Sequence, residues 1–358
     1  MPSYQSSCAR TEGWVTDLKL RIRKKQELIL FFIIVAIGLV IGILNPVFFT
    51  PANLLGIVCN MTIDGIFAFA VMLGIIIGGI DVSFPAIAVV SMYTTTRMAV
   101  AIDYSGPVLL LYLMSGGIGL ALGLFNGVLI TKFKLPAFIV TLGTSNLYYG
   151  LLISLLGGAQ VDRLVQPMEN FARLSIFQVG TGSSTTAVPL TILFMLLIMA
   201  VTAFILHRTM LGRMIYAIGG DRVSAEKAGF PVNKVTIFVY AYIGAAAGLA
   251  GLSHTIQTRA CYPTDLMGGE MLIIAAIVLG GTTISGGRGT VTGTFLGLFL
   301  ITMIQSSLIL VGIPSIWQTM VVGAMIVIGT SVSAYQVLRD KRRLAPVMED
   351  EPPGGGSK

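Results

Sequence analysis

The feature that most constrains this chain is a series of long apolar runs separated by short polar breaks. They fall at roughly 28–45, 54–79, 83–101, 107–130, 136–156, 188–206, 236–256, 270–285, 290–312 and 315–335. A helix needs about 20 apolar residues to cross a bilayer, so the runs predict about ten spans (eight to ten). Only 11% of the residues are charged, against about 25% in a soluble domain. Such a chain cannot cover its own surface in water. The predicted fold class is an all-α polytopic membrane protein.

Basic residues set the orientation. With the N-terminus in the cytoplasm and each run crossing once, 19 of the 23 Lys and Arg fall on the cytoplasmic side. Arg163, Arg173 and Arg259 fall outside, and Arg97 lies within a run. This bias predicts an N-in, C-in topology. The net charge of +7 then belongs to flanks lying near anionic lipid headgroups, and no nucleic-acid partner is called for. The expected organisation is a basic cytoplasmic segment 1–27, a transmembrane domain 28–335 and a cytoplasmic tail 336–358, disordered where it reads PPGGGSK. The first apolar run follows its basic flank without a small-residue cleavage motif and is read as a retained helix.

Chemistry-bearing motifs are sparse. Cys8, Cys59 and Cys261 are scattered, and His207 and His254 belong to no cluster, so no disulfide framework or metal site is expected. No G-x-x-x-x-G-K-[ST] loop, nucleophile elbow or HExxH motif occurs. No cofactor and no enzymatic activity of the chain itself are expected.

Residues 74–86 read GIIIGGIDVSFPA, and 277–294 read IVLGGTTISGGRGTVTGT. Gly78, Gly79 and Asp81 in the first phrase, and Gly286 and Gly287 in the second, are read as structural hinge or cap positions. For Asp81 direct substrate contact is the other reading. The phrases share a Gly pair followed by an aliphatic residue and Ser, and Leu122-Gly-Leu-Phe125 recurs as Leu296-Gly-Leu-Phe299. They suggest an internal two-fold repeat, with broken or re-entrant elements near 78–86 and 280–294. Paired small residues, such as Gly119/Gly123/Gly127 and Gly244/Gly248, are assigned to helix packing.

Polar residues inside the runs are candidates for a solute pathway: Asn60, Asp64, Asn126, Asn146 and Gln305, with Thr141 and Ser306. Each is alternatively an interhelical hydrogen bond, typically worth ~0.6 kcal/mol. Asp64 is the sharpest, because an intramembrane acid is costly and needs water or a partner. Between two runs, RTMLGRMIYAIGGDRVSAEKAGFPVNKV (208–235) holds a predicted short helix over 222–228. Asp221 is its candidate N-cap and Gly229 its stop. Such a helix suits docking in a groove of a soluble partner; a solvated loop is the alternative. Outside, Pro167–Phe177 has the spacing of a short interfacial helix, either a docking surface or a lid.

GGIDVS, NGVLITKFKLPAFIVTLGT (126–144), YAIGGDRVSAEKAGF (216–230) and LGGTTISGGRGTVTGTFLG (279–297) occur in this order. With them the chain resembles the transmembrane permease subunits of bacterial ABC importers of the ribose/xylose/galactose/autoinducer-2 class. The resemblance implies residence in the bacterial inner membrane and a second permease subunit, identical or not. It also implies a separate cytoplasmic ATPase and an extracytoplasmic sugar-binding protein. It assigns Asp221, Ala225, Glu226, Ala228 and Gly229 to the segment that receives motion from the ATPase. The competing classes are an ion-gradient-driven transporter, a channel, and an ABC permease for a nucleoside or branched-chain amino acid. An ion-coupled carrier usually needs paired intramembrane acids, and a channel needs a filter.

The missing phosphate-binding loop yields a first expectation. The purified chain alone in liposomes releases phosphate from ATP no faster than empty liposomes do; turnover above that baseline would place an ATPase in this chain.

Overall fold

The computed structural model describes residues 27–179 and 186–312, with isolated positions 314, 317, 320, 323, 324 and 327. The expectations for the rest of segment 1–27, for most of the run 315–335 and for the tail 336–358 lie outside these residues.

Helix follows helix. α1 spans Glu27–Leu44, and a 3-10 turn Pro46–Phe49 leads to α2 (Pro51–Asn60) and α3 (Thr62–Ile76). Next come α4 (Phe84–Ala101), α5 (Val108–Phe133), α6 (Ala137–Leu156) and the short α7 (Gln166–Arg173). Two strands, β1 (Ser175–Val179) and β2 (Thr186–Pro189), pair antiparallel. The chain continues with α8 (Ile192–Arg208), α9 (Met210–Gly220), α10 (Arg222–Lys227), α11 (Val232–Thr258), α12 (Glu270–Leu279) and α13 (Val291–Leu310). α1, α5, α6, α11 and α13 are each long and apolar enough to span a membrane, while α2–α3 and α8–α9 are pairs bent by 48° and 78°.

Local chemistry starts and bends these helices. The Asn45 side chain accepts a hydrogen bond from the Val47 amide, and Thr50 Oγ1 accepts from the Asn53 amide with Pro51 at the head of α2. Thr209 Oγ1 caps α9 through the Gly212 amide at 3.2 Å, where the chain turns away from α8. The outer segment departs from its sequence pattern. The helix expected over 167–177 stops at Arg173, because Ser175–Val179 pairs with β2 instead.

α3 lies at the centre of the bundle. Fourteen of its fifteen residues are buried, and the remaining one is Asp64. A helix apolar on every side belongs inside a bundle, and α3 packs against α8, α11, α12 and α13. By contrast, α1, α5 and α6 expose Phe32, Ile43, Leu109, Leu113, Ile139 and Leu155. In water these faces would aggregate; in hydrocarbon they are ordinary.

α5 and α11 touch backbone to backbone. A Cβ on Gly119 or Gly123 would overlap the main chain at Gly244 or Tyr240, and one on Gly244 or Gly248 would overlap Gly119 or Ser115. Ser115 Oγ adds a hydrogen bond to Gly248 O at 2.7 Å. Lipid tails are as apolar as leucine, so close van der Waals packing of this kind holds membrane helices together.

Two contacts fix the mutual direction of distant segments. Thr290 and Thr292 hydroxyls donate to Glu27 Oε1, both at 2.7 Å, and Asn45 Nδ2 donates to Leu310 O at 2.8 Å. α1 and α13 therefore run parallel, sharing a Glu27 end and a Leu44 end.

The glycine seam carries the second expectation. Gly244→Val overpacks it and lowers stability by about 1–3 kcal/mol, read as a reduced melting temperature in detergent. Gly117→Val, at an exposed position with open space around it, leaves the melting temperature unchanged.

Candidate translocation cavity and coupling segment

A groove of about 540 Å³ lies between α2, α3 and α13, lined by Asn53, Asn60, Asp64, Thr302, Gln305 and Ser306 among others. Three of the five residues singled out as pathway candidates, Asn60, Asp64 and Gln305, thus meet in one place although Gln305 is remote in sequence. Ser306, noted beside them, joins through a hydrogen bond from Asn60 Nδ2 to its Oγ at 3.3 Å.

The break between α2 and α3 explains the position of Asp64. It sits in the first turn of α3, where free amides and the helix dipole favour a carboxylate. The 48° bend opens this turn to the groove, and Asp64 is the one residue of α3 that keeps some exposure. Among the described residues no side chain or amide hydrogen-bonds its carboxylate. It is also, among the described residues, the only acid lining the groove.

A second hollow of about 440 Å³ shares Gly56, Asn60 and Thr186 with the first and adds Cys59, Phe171, Thr191, Gln257 and Arg259. Two contacts border them: Thr186 Oγ1 of β2 donates to Ala52 O at 2.9 Å, and Gln257 Nε2 donates to Thr191 Oγ1, just ahead of α8, at 2.6 Å. Together the hollows run from Asp64 past α7 and the strands toward the Leu44 end. Amides, hydroxyls and one carboxylate beside an aromatic ring make a surface suited to a small polyhydroxylated solute.

The other two pathway candidates lie elsewhere. Asn126 is fully buried and belongs to a polar cluster at the α3–α4 connection. Asp81 Oδ1 accepts from the Ser83 amide at 2.7 Å and from Ser83 Oγ at 2.6 Å. Ser83 Oγ accepts from Asn126 Nδ2 at 2.8 Å, and Asn126 Oδ1 accepts from the Tyr148 hydroxyl at 2.8 Å. Asp81 therefore ties its connection to α5 and α6, two residues ahead of the Ser83 that precedes α4. Gly78 in the same connection has φ +85, and a Cβ on Gly79 would overlap the Tyr240 hydroxyl. Asn146 faces outward on α6, its Nδ2 bonded to Leu142 O at 2.9 Å.

At the Glu27 end, α9 and α10 form a projecting unit. Asp221 Oδ1 accepts from the Val223 and Ser224 amides at 2.9 and 3.2 Å, and its Oδ2 accepts from Ser224 Oγ at 2.8 Å. The Ser224 hydroxyl, then the two amides, hold the Asp221 carboxyl below its ordinary range, because each bond favours the charged form. The helix closes on Gly229 at φ +82. The Gly229 amide donates to Glu226 O at 3.0 Å and the Phe230 amide to Ala225 O at 3.1 Å, a Schellman closure. Ala225 turns inward and is buried, whereas Glu226, Ala228 and Gly229 are exposed. Val223, not singled out in the sequence, presents an apolar side chain 61% exposed.

Residues 53–329 match the model of a family described as the branched-chain amino acid transport system / permease component. The ribose import permease protein RbsC of Bacillus subtilis is 34% identical over 308 residues, covering 86% of this chain and 90% of its own. The RbsC of Escherichia coli K12 is 30% identical over 322 residues, covering 90% and 95%. The autoinducer 2 import system permease protein LsrC of Klebsiella pneumoniae is 30% identical over 338 residues, covering 94% of each chain. No solved structure matches this chain. The chain belongs to this permease family: it is a membrane-embedded translocation subunit of an ABC importer.

The cavity generates the third expectation. Asp64→Asn lowers solute uptake by about tenfold, the size of one buried charge-assisted hydrogen bond, with normal membrane insertion. Full uptake by Asp64→Leu would remove Asp64 from the pathway.

Proposed function

We propose that this chain forms one half of the pathway of an ATP-driven importer for a sugar or sugar-like solute in the bacterial inner membrane. The observation that carries the reading is the convergence of Asn60, Asp64, Gln305 and Ser306 in one groove. A sugar presents hydroxyls in several directions, and amide, carboxylate and hydroxyl groups complement them. Relatives named for ribose and autoinducer 2 support this substrate class. Among the described residues Asp64 is the one acid in the groove, which argues against coupling to an ion gradient, since that calls for paired acids.

In this reading the Glu27 end faces the cytoplasm, since Lys132, Lys134 and the basic loop 208–235 gather there. The groove then opens toward the extracytoplasmic side, where a binding protein delivers solute over α7 and the β1–β2 hairpin. A second permease subunit completes the pathway. A separate ATPase docks at α10, whose outward Val223, Glu226 and Ala228 supply an apolar anchor, a charge and a flat place for close approach.

The fourth expectation follows from α10. In a reconstituted complex, Glu226→Lys weakens uptake and stimulated ATP hydrolysis together, and Ala228→Trp does so more severely, with loss of ATPase co-purification. The permease still folds, because both side chains are exposed. Wild-type coupling and co-purification in both variants would exclude α10 as the docking element.

A further inference from the structure

The cytoplasmic ends of both walls of the groove meet α9 at a single point. α3 ends at Ile76, twelve residues, roughly 18 Å of helix, from Asp64. Its terminal carbonyl, Ile76 O, accepts a hydrogen bond from the Gly287 amide at 2.8 Å. A Cβ on Gly219, in the last turn of α9, would overlap Ile76 O and crowd the Gly287 amide. A Cβ on Gly286 would crowd both Gly219 O and Ile76 O. Three main chains, from α3, α9 and the α12–α13 connection, are thus in contact with no side chain between them.

The connection behind this contact is stiff. The Thr283 amide donates to Arg288 O at 3.2 Å, the Gly286 amide to Thr283 O at 2.9 Å, and Thr283 Oγ1 to Gly286 O at 2.7 Å. Gly286 and Gly287 both sit at positive φ, +85 and +76, which only glycine adopts without strain. The Tyr216 hydroxyl of α9 donates to Gly289 O at 2.8 Å. Two residues beyond Gly289, α13 begins, and it carries Thr302, Gln305 and Ser306 into the groove.

We infer that Gly219, with Tyr216, is a positioning element that transmits displacement of α9–α10 to both groove walls at once. It does so by backbone contact with Ile76 at the foot of α3 and with Gly286–Gly287 at the foot of α13. A shift of α9 cannot be absorbed here by side-chain rotation, because no side chains intervene. Packed backbone moves as a unit, in the manner of shear between helices. The inference rests on the proposed docking of an ATPase at α10. Docking is read by co-purification, whereas transmission is read by stimulated hydrolysis and uptake in complexes that co-purify fully, so each fails separately.

The test is the complex in nanodiscs with its ATPase and binding protein, comparing Gly219→Ala, Tyr216→Phe and the neighbouring control Gly220→Ala. The added Cβ at Gly220 meets open space. Gly219→Ala is expected to keep ATPase co-purification and basal hydrolysis while lowering binding-protein-stimulated hydrolysis and uptake about tenfold, an ordinary coupling energy. Tyr216→Phe, which removes the hydroxyl's bond to Gly289 O, lowers them about threefold, and Gly220→Ala behaves as wild type. Wild-type stimulation and uptake in Gly219→Ala would overturn the inference. Should that variant not assemble, Tyr216→Phe decides: unchanged stimulation overturns the inference, and reduced stimulation at full co-purification supports it.

Discussion

Backbone contact through glycine is the interaction on which this structure depends. Burying one apolar helix against another gains little where lipid offers the same contacts, so helices must gain by approaching closely. The α5–α11 seam does this over three turns, with Gly119, Gly123, Gly244 and Gly248 removing the side chains that would hold the axes apart. Gly280, Gly293 and Gly297 repeat the device between α12 and α13, where a Cβ at any of them would strike the opposite main chain. Gly219 and Gly286 extend it to the foot of α3. The central helix is thus gripped by main chain at its Ile76 end and by apolar side chains along its length, and only its first turn is left open.

That arrangement sorts the polar groups. Some hydroxyls on the helices return to a carbonyl one turn back, as Ser91 does to Ile87 O and Thr236 to Val232 O, and others, such as Ser115 and Thr202, bond to the main chain of a neighbouring helix. Asp81, Ser83, Asn126 and Tyr148 form a network that joins three elements at one connection. Asp64 and Gln305 take part in neither pattern. Polar side chains left without protein partners at membrane depth need water or a ligand, and both line the same groove. Asp81 too leaves Oδ2 buried without a partner among the described residues, so what sets Asp64 and Gln305 apart is that both line the groove.

Much of this was legible in the sequence where the signal is local. The apolar runs locate the helices, because span length and absence of charge are properties of contiguous residues. The α10 unit was readable from Asp221, Gly229 and Pro231, since caps and stops act within a few residues. What was not legible depends on distance. Nothing local says that Gln305 approaches Asp64 while Asn126 turns to Ser83, or that Asn146 faces outward on α6. The helix expected to reach Phe177 was cut short by pairing with a strand beginning at Thr186. Of the residues assigned to the coupling segment, Ala225 is buried, while the unremarked Val223 beside it is exposed. Gly219 gave no signal beyond its type, and its meaning appears only when Ile76 and Gly287 are brought beside it.

The central claim is that the groove at Asp64 opens to the extracytoplasmic side. Cys59 lines its outer continuation and is a half-buried free thiol, whereas Cys261 is fully buried. In a Cys8→Ser, Cys261→Ser background, the measurement is modification of Cys59 by a small membrane-impermeant thiol reagent applied to one face at a time. The account predicts reaction from the extracytoplasmic face, slowed by solute-loaded binding protein, and none from the cytoplasmic face in the resting permease. Reaction from the cytoplasmic face alone would contradict it.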